Sequence, residues 1–291
     1  MTTPDSTNVA LNLNAYLTDF KFWITIYTII ISIIGAIKLT KKQILLWQTR
    51  KLRKIWGIKD KENVIVVCSE LDDQEIRQNV EPREYIYNLK YGDIDAYFEV
   101  IVTLLRLYPR LKIRILSSGE AERIKLDLYQ TCILIGGPDY NVTTERILAK
   151  QITQFYYRSP YLKESSKHNP DEIVIYNKRS NVEFHEKDSF KDYGYFERIN
   201  NPSNPSKKII LIGGCHTIGV TAAIKSFSLF NSEYDDLHPV VIDNSKLVAR
   251  KIKKSTEFAI VVAAEQVGQS ISTPRVVEDL IYIKDIENNK S

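Results

Sequence analysis

Ile210-Leu211-Ile212-Gly213-Gly214-Cys215-His216-Thr217-Ile218-Gly219-Val220-Thr221 decides the fold, because an earlier stretch follows the same plan. That stretch is Ile133-Leu134-Ile135-Gly136-Gly137-Pro138-Asp139-Tyr140-Asn141-Val142-Thr143. Each is an apolar run, a Gly-Gly break, a few polar or small residues, and then Val-Thr opening a helical pattern. A buried parallel strand that hands over to a helix through a tight turn reads this way. Such turns lie at the carboxyl edge of a parallel sheet, where open α/β folds take their ligands. Two of them predict a site for an anionic, nucleotide-like ligand framed by both loops.

Outward from these loops the chain alternates strands and helices. Strands are expected at 63–69, 111–116, 129–135, 208–212, 239–243 and 258–263, with a closing edge strand over 276–283. Helices are expected at 94–108, ended by Pro109, then at 142–156 and 220–230, with a capping turn at Ser117-Ser118-Gly119-Glu120. Residues 264–268 form a third strand-end loop. The rhythm predicts an α/β fold: a Rossmann-like, doubly wound, mostly parallel sheet over 60–291. Residues 157–206 interrupt it. There 157–170 reads as a loop, and 172–176, 182–186 and 193–199 alternate apolar and polar residues like a small antiparallel meander. The turn-rich linker 200–206 follows, so the insertion is expected to act as a lid.

The net charge of +4 is unevenly spread. Residues 38–59 carry Lys38, Lys41, Lys42, Arg50, Lys51, Arg53, Lys54 and Lys59 and no acid, for +8. Residues 1–37 hold Asp5, Asp19 and Lys21, for −1, which leaves 60–291 at −3. A globular part without basic excess excludes duplex nucleic acid as a partner. The basic block points to a membrane instead. Phe22 to Ile37 is a charge-free run of sixteen residues between Lys21 and Lys38. It spans about 24 Å as a helix, and lysine snorkelling plus Trp23 and Tyr27 extend it toward the ~30 Å hydrocarbon core. The flanks do not fit a cleaved signal peptide. The reading is an extracytoplasmic 1–21, a single-pass transmembrane helix at 22–37, and a basic juxtamembrane helix or stalk at 38–59. The positive charge after the span places the bulk of the chain in the cytoplasm, at an inner membrane. Thr25, Thr28, Ser32 and Gly35 share one face of the span. That stripe suits packing between copies in a homo-oligomer, or a pore lining, or is chance placement.

The second loop also carries chemistry to be weighed. Gly214 and Gly219 bracket four residues before Thr221, close to the phosphate cradle G-x-x-x-x-G-K-[ST], but Val220 replaces the lysine. Phosphate held by backbone amides and a purely structural turn both fit, and ATP or GTP hydrolysis, which needs that lysine, does not. Cys215-His216 beside a helix start invites a nucleophile reading, with His185 or His238 as more distant bases. In the first loop, Asp139 and Asn141 suit ribose hydroxyls or a base edge, or plain turn chemistry with Thr143 and Glu145 as caps. Asp93, Asp95, Glu120 and Glu265 are the carboxylates available to a nucleoside-cleaving alternative. The three cysteines and four histidines show no metal spacing, so neither metal nor cofactor is expected.

A single-span amino terminus, a basic stalk and a Rossmann-like domain with Gly136-Gly137 and Gly213-Gly214 loops together resemble the membrane-tethered sensor–effectors of bacterial antiphage defence. That resemblance is one of architecture. It implies a cytosolic domain that senses a nucleotide-derived signal, made by a nucleotide-synthesising partner protein, and a membrane part that assembles to breach the membrane or form an ion channel. The sequence therefore predicts a non-enzymatic receptor. Its nucleotide or short-oligonucleotide ligand would meet Gly136, Gly137, Asp139, Asn141, Thr143, Gly213, Gly214, Cys215, His216, Thr217, Gly219 and Thr221. A membrane-tethered nucleotide or NAD-type hydrolase, and a plain membrane scaffold, are the alternatives.

Overall fold

The computed structural model describes residues 6–70, 91–126, 128–159, 172–177, 180–185, 191–229, 238–252, 255–268 and 270–283. The chain divides into two compact units, Met1–Gln48 and Thr49–Ser291. Asp72, Asp73 and Glu75, which with Glu70 make the sequence after the first strand acidic, lie outside the described residues.

The first unit lies on one long helix, α1 (Ser6–Trp56), whose last turns belong to the second unit. Fifty-one residues with no proline and a single glycine favour the helix. Its charge-free run is apolar on every face but the one that carries Thr25, Thr28, Ser32 and Gly35. Phe22, Trp23, Ile24, Tyr27, Ile29, Ile30, Ile31, Ile33, Ile34 and Ile37 are all exposed. Thr28 Oγ1 donates to Ile24 O at 2.8 Å, so this hydroxyl is satisfied within its own helix. A methyl added at Gly35 meets nothing within 4 Å. Among the described residues, no helix is long and apolar enough to cross a membrane. The sixteen-residue run falls short of the ~30 Å core on its own length, against the expectation of a span.

The second unit follows in chain order as β1 (Asn63–Cys68), α2 (Tyr91–Leu107), β2 (Lys112–Ser117), α3 (Ser118–Arg123), β3 (Thr131–Ile135) and α4 (Val142–Ala149). Next come β4 (Phe155–Arg158), β5 (Val174–Asn177), β6 (Val182–His185), β7 (Lys191–Asn201) and β8 (Asn204–Gly214). The chain then forms α5 (Thr217–Lys225), α6 (Pro239–Ile252), β9 (Phe258–Val267), β10 (Ser270–Ile271), a 3-10 turn (Glu278–Leu280) and β11 (Ile281–Ile283). The main sheet runs β2-β1-β3-β8-β7-β9-β10, and β11 also pairs with β9. The first four strands are mutually parallel. β7 lies antiparallel between β8 and β9. The fold is α/β and Rossmann-like, with a mixed sheet.

Both faces of the sheet are covered, which is why its central strands are apolar without alternation. One core takes Val64, Val66, Ile133, Ile210 and Ile212 together with α2, α5, α6 and the end of α1. The other takes Ile65, Val67, Leu134 and Leu211 with α3, α4 and the small sheet.

Five expectations are corrected. Residues 264–267, expected in a strand-end loop, continue β9. The stretch 193–199 belongs to the main sheet as β7. The small sheet is β4-β5-β6, with β4 supplied by the end of the expected helix, Phe155 and Tyr156, and the start of the expected loop, Tyr157 and Arg158. α4 stops at Ala149 because Gln151 takes a left-handed φ of 55°, and the aromatic Phe155-Tyr156-Tyr157 then pairs with β5. The expected linker 200–206 is the turn and second strand of the β7–β8 hairpin, with Ser203 N donating to Asn201 Oδ1 at 3.0 Å. Residues 239–243 open α6, where Pro239 at the first helical position carries its preset φ. Buried Val241, Asn244, Ser245, Val248, Ala249 and Ile252 show a helical period that five residues cannot display.

β7 also carries two adjacent charges, Glu197 and Arg198, 0% and 3% exposed. On a strand they point to opposite faces, and each meets backbone ends there. Glu197 accepts from Gln154 N and Phe155 N at 2.6 and 3.3 Å, holding the start of β4. Arg198 donates to Lys54 O and Ile55 O at 2.6 Å each, and to Thr256 O at 2.9 Å. Its guanidinium lies 4.6 Å from the Phe258 ring centroid. A cation thus caps the carbonyl end of α1 inside the core, where the helix dipole favours it. Gly57 turns the chain out of α1 at φ 64°, donating to Arg53 O at 2.9 Å, and a Cβ there would lie 2.5 Å from Arg198 Nη1. Trp56 Nε1 donates to Phe227 O at 3.2 Å and completes the anchorage.

Candidate functional site

β3 and β8 are neighbours in parallel register, Ile135 beside Ile212, so both Gly-Gly loops leave the same edge of the sheet side by side. The ends of β1 and β2 share that edge. Glu70 N donates to Tyr140 O at 2.9 Å, and Val142 N donates to Ser118 Oγ at 2.9 Å. These bonds stitch the ends of β1, β2 and β3 into one surface.

In the first loop Gly136 has φ 95°, which reserves the position for glycine, and its N–H continues the ladder to Ile212 O at 2.9 Å. Gly137 is different: a Cβ there would make ordinary contact with Tyr157 Cε1 at 3.5 Å. Asp139 Oδ2 accepts from Ser159 Oγ at 2.8 Å. Asn141 is fully buried and its side chain is spent on structure. Its Oδ1 accepts from Thr143 N and Thr144 N at 3.1 Å each, and its Nδ2 donates to Ile135 O and Val67 O at 3.0 and 3.3 Å. Thr143 is buried in the first turn of α4. Asn141 and Thr143 therefore cap and pack.

The second loop holds a carboxylate of its own. Asp192, at the start of β7 and 3% exposed, accepts through Oδ2 from Gly219 N at 2.7 Å and His216 N at 2.9 Å. Burial pushes its carboxyl above the usual range, against the pull of those amides and of Tyr193 N. The amides expected to cradle a phosphate thus already hold an anion. The glycines serve this closeness. A Cβ on Gly219 would meet Tyr193 O at 2.2 Å, and one on Gly214 would meet Val220 N at 2.5 Å. Gly213 faces Tyr157, whose hydroxyl donates to Gly214 O at 3.2 Å. Thr221 is buried, Thr217 is half-buried, and the His216 side chain is exposed.

The other two helix starts at this edge are filled likewise. Ser117 and Glu120 form a reciprocal capping box on α3, and Glu70 Oε2 accepts from Gly119 N at 2.6 Å. Three helix amino termini thus converge on one edge, each satisfied from within. Glu70, Glu120 and Asp139 lie half-buried at this edge, taken up by Gly119 N, Ser117 N and Ser159 Oγ, while the His216 side chain is exposed.

Cys215 does not fit a nucleophile. It is 4% exposed, its thiol faces Phe184 O at 3.5 Å, and burial, reinforced by Asp192, drives its pKa well up. Cys132 is also buried, with its thiol pushed up to about 12. Thiolate chemistry needs the opposite shift. Native protein treated with iodoacetamide at pH 8 is expected to stay unmodified at Cys68, Cys132 and Cys215 until it unfolds. Selective alkylation of Cys215 in the folded chain, seen by peptide mass spectrometry, would reinstate the nucleophile.

The remaining candidates scatter. His185 pairs with Glu172 and Glu183 at 2.9 and 3.3 Å on the small sheet. His238 precedes α6, and Asp93 and Asp95 sit in the first turns of α2. Glu265 lies opposite Lys191 on the β7–β9 ladder. Among the described residues no group of His, Cys, Asp and Glu is arranged to hold a metal ion. Sequence reasoning missed Asp192, Tyr157 and Arg198. Neither Asp192 nor Arg198 stands out locally, since β7 also carries Lys191 and Glu197 beside them. No family model, curated protein or solved structure matches the chain.

Proposed function

We propose that the chain is a membrane-anchored receptor. The charge-free part of α1 lies in the bilayer, the flanking lysines snorkel to its surfaces, and the α/β domain takes a ligand over the carboxyl edge of β1, β3 and β8. One observation carries this reading. A helix exposing isoleucine and aromatic side chains on every face but the Thr25, Thr28, Ser32 and Gly35 stripe needs lipid or further helices around it, and that same helix ends in the core of the domain. Water is a poor solvent for such a surface.

The ligand we propose is a nucleotide derivative held by its donor groups. Ribose hydroxyls and base amines would compete with Ser159 Oγ for Asp139 and with Gly119 N for Glu70, and a phosphate at α5 would have to displace Asp192. Binding would change how α1 helices associate through Thr25, Thr28, Ser32 and Gly35. In the setting the resemblance implies, that association breaches an inner membrane in antiviral defence. The test is mass spectrometry of small molecules released from the detergent-purified chain, alongside alkaline extraction of membranes from expressing cells. A retained nucleotide, lost on Asp139→Asn, is expected, with the protein staying in the membrane pellet. Release of the protein at alkaline pH overturns the anchor; an intact Asp139→Asn complex overturns the site.

A further inference from the structure

The last turns of α1 place Arg50, Lys51 and Lys54 on one face, by the 100° step of the helix, opposite buried Leu52, Ile55 and Trp56. Among the described residues neither Arg50 nor Lys51 has a carboxylate partner. Lys54 Nζ donates to Ala249 O at 2.9 Å, which fixes the carboxyl-terminal end of α6 beside α1. That end carries Arg250 and Lys251, and they share a single carboxylate, Glu278, at 3.5 and 3.3 Å. Arg250 remains 71% exposed. Two helices distant in sequence thus combine their cations on one corner of the domain, where α1 leaves it. Lys246, one turn earlier on α6, is paired with Asp243 and adds no net charge.

From this corner we infer an interaction surface for anionic lipid headgroups, shared by α1 and α6. This rests on the membrane-anchored reading above and extends it from the stalk to the body of the domain. Clustered Lys and Arg next to a bilayer are attracted to anionic lipid headgroups. The surface is built to be rigid, because Lys54 locks the two helix ends and Arg198 locks α1 to the sheet.

The test uses the full chain reconstituted in nanodiscs of phosphatidylcholine alone or with one-third phosphatidylglycerol. Hydrogen exchange is read over 246–252. Slower exchange, by about threefold or more, is expected in the anionic discs and is expected to vanish at high salt. Arg250→Gln/Lys251→Gln, which changes exposed side chains, should abolish it; so should Arg50→Gln/Lys51→Gln. Equal exchange in both discs overturns the inference, as does a lipid-dependent slowing that survives the α6 double variant. Failure of the chain to enter phosphatidylcholine discs at all overturns the membrane reading instead.

Discussion

Arg198→Met is expected to lower the stability of the α/β domain by about 4 kcal/mol, a fall of roughly 10 °C in Tm at this size. The guanidinium serves the carbonyls of Lys54, Ile55 and Thr256 and covers Phe258. Methionine fills much of the volume but leaves buried carbonyls without donors, and each such hydrogen bond to a charged group contributes about 1.5–3 kcal/mol. Arg198→Lys should recover little, since one ammonium cannot span carbonyls arranged for a planar fork. Thermal melting checks the magnitude. Hydrogen exchange over 52–56 checks the mechanism, because loss of the cap should free the last turn of α1 ahead of global unfolding. A variant that melts like the parent would show that the carbonyls find other donors.

The two Gly-Gly loops should respond to alanine in opposite ways. Gly219→Ala puts a methyl 2.2 Å from Tyr193 O and 2.7 Å from Asp192 Oδ2, both held by β7, so neither can swing aside. A loss of more than about 3 kcal/mol, or outright failure to fold, is expected from overpacking against backbone. Gly137→Ala meets only ordinary contacts with Tyr157 and should stay within about 0.5 kcal/mol of the parent. Thermal melts of the pair decide the matter. Equal losses would mean that the glycines act through a shared ligand surface, whereas the packing account requires the split.

Much of the sheet was legible in the sequence for one reason: a strand buried on both faces shows an unbroken apolar run, as 133–135 and 210–212 do. α2 was legible through its helical period and Pro109. The adjacency of the two loops was readable as well, because matching strand–turn–helix units tend to lie side by side in a parallel sheet. The place of β7 was hidden. Its local alternation suits any antiparallel partner, and only the order of the whole sheet chooses β8 and β9 over β5 and β6. Asp192 was hidden for a related reason, since nothing local links it to amides 24 positions later at His216. The glycine spacing that suggested a phosphate cradle reports instead how close β7 runs to α5.

β7 holds Asp192 near one end and Arg198 six residues along, a distance of about 20 Å in an extended strand. Hydrogen bonds on both flanks, to β8 and β9, prevent it from sliding by less than a two-residue step. It therefore behaves as a stiff tie-bar, with the first turn of α5 clamped at one end and the foot of α1 at the other. Whatever pries Asp192 from its two amides pulls on the same beam that grips the long helix, without any intervening joint.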